Sequence, residues 1–211
     1  MVTHKKILIT AGPTWVAIDS VRVISNIATG NTGALLSKAF SADKAKVTLL
    51  LGPAETAPVD KRVRVIRYRF FDELSSLLEK ELKTGVYDAV IHAAAVSDYR
   101  PRQVYRKKVS SRLKKWNIEL APTPKLIDKL SSGGKYLLKV GFKFEPEVSD
   151  KRLITEGRSL RKKSDLDFVV ANTVNKKGYR AFIIGRQLIG PLSSKAVMSK
   201  RLCGLLNKEL Y

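Results

Sequence analysis

The chain has 211 residues, 44 % of them apolar and 28 % charged, enough for one globular domain with a real core and short for two. No apolar run approaches the roughly 20 residues of a membrane helix, which excludes a membrane-spanning helix, and residues 1–6 carry no apolar signal region, so a cytoplasmic rather than a secreted protein is expected. Lys+Arg 40 against Asp+Glu 19 leaves +21, a charge that attracts phosphates, nucleotides, nucleic acid or an acidic membrane face.

Residues 6–10 form a short apolar run rich in β-branched residues that stops at Gly12-Pro13-Thr14. This is a buried strand leaving into a turn. Residues 33–40 carry Leu35, Leu36, Ala39 and Phe40 on one side and predict a helix. Residues 47–51 are the next strand, stopped by Gly52-Pro53, and 63–68 alternate like a strand nearer an edge. Phe71, Leu74, Leu77, Leu78 and Leu82 predict an amphipathic helix over 71–82. Residues 89–96 read as a strand buried on both faces that runs into Ser97-Asp98. Beyond it, 116–120 is a strand candidate and 124–130 a short helix with Pro124 in its first turn. Then follow a strand (136–144), a helix (148–163), a buried strand (167–171), a hairpin (181–184 and 187–189) and a closing helix (193–210). Strands alternating with helices predict a single α/β domain over 1–211. Its expected form is a three-layer Rossmann-like fold, a mostly parallel sheet with helices on both faces and a C-terminal hairpin. Ligands in such sheets sit outside the carboxyl ends of the strands, here the loops after Thr10, Val96, Val140 and Val170.

His4 and His92 are the only histidines and Cys203 the only cysteine. A His/Cys zinc site or a Ser-His triad lacks raw material, and Cys203 reads as a small core residue of the closing helix. Gly12-Pro13-Thr14 and Thr29-Gly30-Asn31-Thr32-Gly33 let backbone amides approach a phosphate ahead of a helix. With neither G-x-G-x-x-G nor G-K-[ST] present, a plain strand-to-helix connection explains them equally well. Between them, Asp19, Arg22 and Asn26 place a carboxylate, a guanidinium and an amide on one loop. Asp19 also suits a turn, and Arg22 and Asn26, four apart, share a face if the segment is helical. The alanines 93–95 at a strand end let a flat ring or ribose lie against the backbone, with Asp98 placed for a hydroxyl or a metal-bound phosphate. Tight packing with a polar turn explains the alanines but not the polar groups. Residues 99–118 hold no acid, yet Arg100, Arg102, Arg106, Lys107, Lys108, Arg112, Lys114 and Lys115 fall there. They form either a solvated basic face or a mobile loop that closes over polyphosphate. Arg158 and Lys162, also four apart, either clamp a second anionic group or face solvent.

Taken in chain order, Ile-Thr-Ala-Gly-Pro-Thr (9–14), Ile-Asp-Ser-Val-Arg-Val-Ile-Ser-Asn (18–26), Thr-Gly-Asn-Thr-Gly (29–33) and Ala-Ala-Val-Ser-Asp-Tyr-Arg-Pro (94–101) resemble phosphopantothenoylcysteine synthetase. So do Arg-Leu-Lys-Lys (112–115), Val-Gly-Phe-Lys (140–143), Asp-Leu-Asp-Phe-Val-Val-Ala-Asn (165–172) and Ser-Ser-Lys (193–195). The resemblance implies the amide-forming step of coenzyme A biosynthesis. In that step the carboxylate of 4′-phosphopantothenate attacks the α-phosphate of CTP, pyrophosphate leaves, and the amine of cysteine displaces CMP from the acyl-cytidylate. It implies Mg²⁺ bound mainly through nucleotide phosphates rather than by a protein metal site, and no protein nucleophile. It implies that Asn26 holds the acyl intermediate with Arg22 nearby, and that Arg112 or Lys114 meets the reacting phosphate. Gly12, Thr14, Ala94, Ala95, Asp98, Phe142 and the turn Pro122, Thr123, Pro124, Lys125 are implied to line the nucleotide site, with Arg158 and Lys162 on its phosphates. In many bacteria the synthetase is fused behind a flavin-dependent decarboxylase. The start of this chain at the first strand, with His92-Ala93 and Phe142-Lys143, looks like the stand-alone form, so no FMN is expected, and a separate decarboxylase is a candidate partner. A homodimer with sites completed across the interface is also implied. Two positions depart from the family pattern. Arg112 stands where the family has lysine, and arginine cannot exchange a proton near neutral pH. Pro-Thr-Pro-Lys replaces the common Asn-Pro-Asp, which leaves cytosine against adenine open.

Two other classes compete. A nicotinamide-dependent short-chain reductase needs a G-x-x-x-G-x-G-like loop after the first strand and a Tyr-x-x-x-Lys pair, and neither is present. A nucleic-acid-binding protein is suggested by +21 alone, without a helix-turn-helix or aromatic residues interleaved with the basic runs.

Overall fold

A computed structural model describes residues 5–54, 60–134, 136–176 and 178–210. His4 lies outside the described residues. Strand β1 (Lys6–Ala11) is buried after its first residue, as a run apolar on both faces requires. It pairs in parallel with β4 (Lys46–Leu51) on one side and β6 (Ala89–His92) on the other. Beyond β4 lies β5 (Arg64–Arg67), and beyond β6 come β9 (Leu138–Phe144) and β10 (Phe168–Asn175), all parallel. The antiparallel β11 (Gly178–Ile184) and β12 (Leu188–Leu192) complete an 8-stranded sheet in the order β12-β11-β10-β9-β6-β1-β4-β5. The expected mostly parallel α/β sheet with a C-terminal hairpin is the fold observed.

Two helices cover one face. Leu36 and Phe40 of α1 (Asn31–Ala42) and Met198, Leu202 and Leu206 of α4 (Lys195–Glu209) pack on Ile7, Ile9, Ile91 and Val140. Cys203 is buried in this layer, and burial with the nearby Asp43 charge pushes its thiol up to about 11. It is an inert core residue, as its sequence context predicts. On the other face, Leu74, Leu78 and Leu82 of α2 (Phe71–Lys83) join Leu126 and Leu130 of a 3-10 helix (Leu126–Gly133) over Leu8, Leu50, Val90 and Val169. Leu153 of α3 (Asp150–Lys163) packs on Ala171 and Ile184. Each fully buried leucine contributes roughly 1.5–3 kcal/mol. The helix starts follow from local chemistry. Glu73 reaches back to the N–H groups of Arg69 and Phe70, and Ser194 accepts from Val197 N.

Four segments depart from the sequence reading, the first being the strand expected over 89–96, which ends at His92. The loop holding Asp19, Arg22 and Asn26 is not helical: β2 (Trp15–Ala17) pairs antiparallel with β3 (Val23–Ser25). Arg22 therefore sits in the tight turn and Asn26 just past β3, sharing no helix face. The strand expected at 116–120 is displaced to β8 (Leu120–Pro122), paired with β7 (Tyr99–Pro101). The helix after Pro124 begins at Leu126 and is of the tighter 3-10 kind, leaving Pro124 in the preceding turn.

Candidate active site

The strand order reverses between β1 and β6, and a cavity of about 780 Å³ opens there at the carboxyl ends of the strands. The loop after β1 is fixed first. Gly12 has φ +81°, and a Cβ on it would sit 3.1–3.3 Å from the Gly52 backbone, so the loops after β1 and β4 touch main chain to main chain. The buried Tyr68 hydroxyl donates to Ala11 O at 2.8 Å. The loop after β6 is then tied to it. Ala95 N donates to Gly12 O and Thr14 N to Ala95 O. Thr14 Oγ1 accepts from Ser97 N at 2.9 Å and donates to Ser97 Oγ at 3.0 Å.

Upon this base sit the polar groups of the cavity. Asn26 Nδ2 donates to Ala95 O at 3.2 Å and Val96 O at 3.0 Å, which pins the end of the β2–β3 hairpin over the β6 strand end. Thr123 Oγ1 donates to Ser97 O at 2.6 Å, and Lys125 Nζ lies 2.5 Å from Asp98 Oδ1. That exposed pair is worth roughly 0–1 kcal/mol and exchanges readily for a ligand charge. On the opposite wall, α1 begins at Gly30, which has φ +74° and supplies no side-chain cap, and its first turn holds no acid. A Cβ on Gly33 would fall 2.1 Å from Ala11 Cβ, so only glycine lets α1 start this close to β1. An uncapped helix start favours an anion. Lys143, paired with Glu145, and Lys195, at the start of α4, line the same cavity. Asp98 is its one carboxylate among the described residues, and these contain no cluster of three metal-ligating side chains.

His92 ends β6 and lies in the cavity wall, with Nδ1 2.8 Å from Thr10 Oγ1. Burial pulls its pKa down to about 4, so the ring is neutral at pH 7.

Comparison with known proteins places this chain in a family. The profile of the DNA/pantothenate metabolism flavoprotein C-terminal domain matches residues 2–188. The chain belongs to this family. It is 32 % identical over 212 residues to the coenzyme A biosynthesis bifunctional protein CoaBC of Thermococcus kodakarensis, covering 98 % of this chain and 52 % of that protein. It is 30 % identical to the CoaBC of Borreliella burgdorferi, covering 96 % of this chain and 52 % of the relative. The chain thus spans about half the length of these relatives. Among solved structures, the DNA/pantothenate metabolism flavoprotein from Streptococcus pneumoniae superposes with a TM-score of 0.87 at 23 % identity, over 97 % of this chain and 99 % of that one. A Cab2 H337A mutant in complex with phosphopantothenate-cysteine superposes with a TM-score of 0.78 at 16 % identity, over 98 % of this chain and 86 % of that one. At these identities the likeness is one of fold.

Of the residues singled out from sequence, the cavity gathers Gly12, Asn26, Ala94, Ala95, Asp98, Thr123, Pro124, Lys125 and Phe142. Thr14 is buried beneath it as the Ser97 partner, and Pro122 lies in β8 outside its lining. Arg158 and Lys162 share a face of α3 as expected, but that face is exposed and lines no part of the cavity. Arg112 and Lys114 are exposed and also outside the lining. Arg22 is not part of the cavity lining. Its guanidinium is 2.7 Å from Asp19 Oδ2, donates to Val109 O and stacks 5.2 Å from the Trp116 ring centroid. Asp19 does serve a turn, accepting from Val21 N and Arg22 N. Burial would raise its pKa, yet the N–H groups of Val21, Val109 and Arg22 and the Arg22 charge hold it below the ordinary carboxylate value. The sequence reading left His92, Lys143, Lys195 and Asn172 without a site role, although all four line the cavity. Their signal was positional: a histidine ending a buried strand, and a lysine opening a helix.

Proposed function

We propose that this chain is a phosphopantothenate–cysteine ligase of coenzyme A biosynthesis that activates its substrate with CTP. The observation that carries the reading is that the Asn26 loop, the strand end 93–98 and the turn 123–125 line one cavity in a chain of this family. Relatives named for coenzyme A biosynthesis, and a neighbour in complex with phosphopantothenate-cysteine, support it. The chemistry asks only for binding groups. The substrate carboxylate attacks the α-phosphate and the α–β phosphoanhydride bond breaks, releasing pyrophosphate. The cysteine amine then attacks the acyl carbon, the bond to the nucleotide breaks, CMP leaves, and the amine gives up a proton. Asn26, the α1 start and the lysines 125, 143 and 195 supply hydrogen bonds and charge neutralisation without a nucleophile. When bound, Mg²⁺ neutralises phosphate charge, with Asp98 the carboxylate nearest to hand. Arg112 and Lys114 enter if the basic segment moves over the nucleotide. The reading includes a homodimer, supported by exposed apolar residues around the hairpin and basic segment: Val21, Ile27, Val104 and Leu113.

The test is incubation with 4′-phosphopantothenate, L-cysteine, Mg²⁺ and either CTP or ATP, following pyrophosphate. CTP should give release that requires phosphopantothenate, and product amide that requires cysteine. Release independent of phosphopantothenate, or none with either nucleotide, removes the assignment.

A further inference from the structure

His92 is a titratable side chain, 6 % exposed, that lines the cavity and has no part in the chemistry above. Its protonation pattern follows from its neighbours. Thr10 Oγ1 lies 2.8 Å from His92 Nδ1 and 3.2 Å from Ala94 N. The Ala94 N–H can only donate, so the Thr10 oxygen accepts there. Thr10 is fully buried, and its hydroxyl hydrogen finds its acceptor at Nδ1. If Nδ1 carried the proton instead, both neighbours would donate to the one oxygen and the hydroxyl hydrogen would be stranded. The ring proton is therefore on Nε2. That nitrogen has no protein partner among the described hydrogen bonds, yet it is not among the sealed, unpartnered polar atoms. Its opening is the cavity.

The surroundings select what it can meet. Side chains alternate along β6, so His92 shares the face of Val90, beneath Leu126 and Ile127 of the 3-10 helix. Two of the anion-suited groups, the α1 start and Lys195, belong to the helices of the other face, while Lys143, two residues past the Gly141 that pairs with His92, and Lys125, just ahead of Leu126, stand nearer the cavity mouth on this one. With those lysines available to phosphate, a neutral donor set among Val90, Leu126 and Ile127 matches an uncharged acceptor better than a phosphate oxygen.

We propose that the Nε2–H of His92 is a neutral donor in the cavity floor that reads a carbonyl oxygen or ring nitrogen on the base of the bound nucleotide. The inference rests on the nucleotide-dependent ligase reading and names a base-recognising group within it. Asparagine and glutamine separate its two contacts. The shorter amide of His92→Asn reaches the Nδ1 position and keeps the Thr10 contact, while the amide nitrogen of His92→Gln reaches the Nε2 position.

The experiment measures affinity for CTP, ATP and base-free tripolyphosphate, each with Mg²⁺, in the wild type, His92→Asn and His92→Gln, with melting temperatures as a check on folding. His92→Asn should weaken binding of the preferred nucleotide about tenfold and leave tripolyphosphate unchanged. His92→Gln should recover most of the loss. If His92→Asn does not fold, His92→Met, which fills the space without a donor, takes its place. Equal losses for nucleotide and tripolyphosphate, no loss for either, or no recovery by glutamine overturns the proposal. A wild type that binds neither nucleotide overturns the ligase reading and this inference together. Wild-type binding with unaltered affinity in His92→Asn overturns this inference alone.

Discussion

Asn26 holds the hairpin against the β6 strand end through two donor contacts from a single amide nitrogen, to Ala95 O and Val96 O. A carboxylate in its place presents oxygen to two carbonyl oxygens, so both contacts turn repulsive and the loop lifts from the cavity. Asn26→Asp should lower product formation by roughly 100-fold or more, the scale set by removing one preorganised donor from a charge-developing site. The melting temperature should move by only a few degrees, because Asn26 is exposed and outside the core. Wild-type turnover by this variant strikes Asn26 from the site. At this scale the sequence was informative where a residue's type is costly to replace. Asn26, Gly12 and the alanines 94 and 95 were visible as loop residues beside strand ends. His92 was not, because its role depends on Thr10, a partner 82 positions away that no local pattern reveals.

The elements legible in the chain are those whose pattern is set by burial. Strands β1, β4, β6, β9 and β10 and helices α1 to α4 were all visible as apolar runs or 3.6-residue stripes. The two small ribbons were not. β2–β3 and β7–β8 have three residues per strand, and their pairing rests on contacts outside their own segments. The basic segment repeats the lesson. Counting its charges suggested a loop with few anchors, yet Tyr105 N donates to Ile18 O, Val109 N donates to Asp19 Oδ2, and Tyr105 meets Trp116 edge-on at 6.1 Å. It is hinged to the β2–β3 turn at Tyr105, Val109 and Trp116, while Arg106, Lys107, Lys108 and Arg112 project free of ion pairs among the described residues. Limited trypsin cleavage after those exposed residues should be suppressed by CTP with Mg²⁺ and not by cytidine. Asp19→Ala, which removes the shared acceptor of the turn and Val109, should accelerate the cleavage and weaken the protection. Arg112→Ala should lose turnover more than nucleotide affinity, and Arg112→Lys should retain most of it. Cleavage indifferent to CTP, with normal turnover in Arg112→Ala, makes the segment a solvated basic surface.

At the scale of the whole molecule, the alternation of strands and helices was enough to place chemistry at the carboxyl ends of the strands, but not to say which pair of strands opens. That follows from the strand order, which brings His92 between Thr10 and Gly141 in the middle of the sheet. The placement couples one side chain to global stability. Burial holds the His92 pKa at about 4, below the ordinary value of about 6.5. As pH falls, the unfolded chain therefore binds this proton first, and stability present above pH 6.5 drains away until the folded state also titrates near pH 4. Between pH 7 and pH 4.5 the loss is roughly 2 kcal/mol. Carboxylates held low by their partners act later. Ion pairing with Lys83 and Lys129 puts Glu79 at about 2, so its contribution is lost mainly below pH 4, in the wild type and in a His92 variant alike. In a chain carrying +21, every added proton also increases self-repulsion. Denaturant unfolding at 0.15 M salt should therefore show the wild type losing more stability than His92→Gln between pH 7 and pH 4.5, by about that 2 kcal/mol, with the two slopes converging below pH 4. Parallel profiles across the whole range mean that folding does not shift the His92 pKa, and the coupling of its burial to acid stability falls with them.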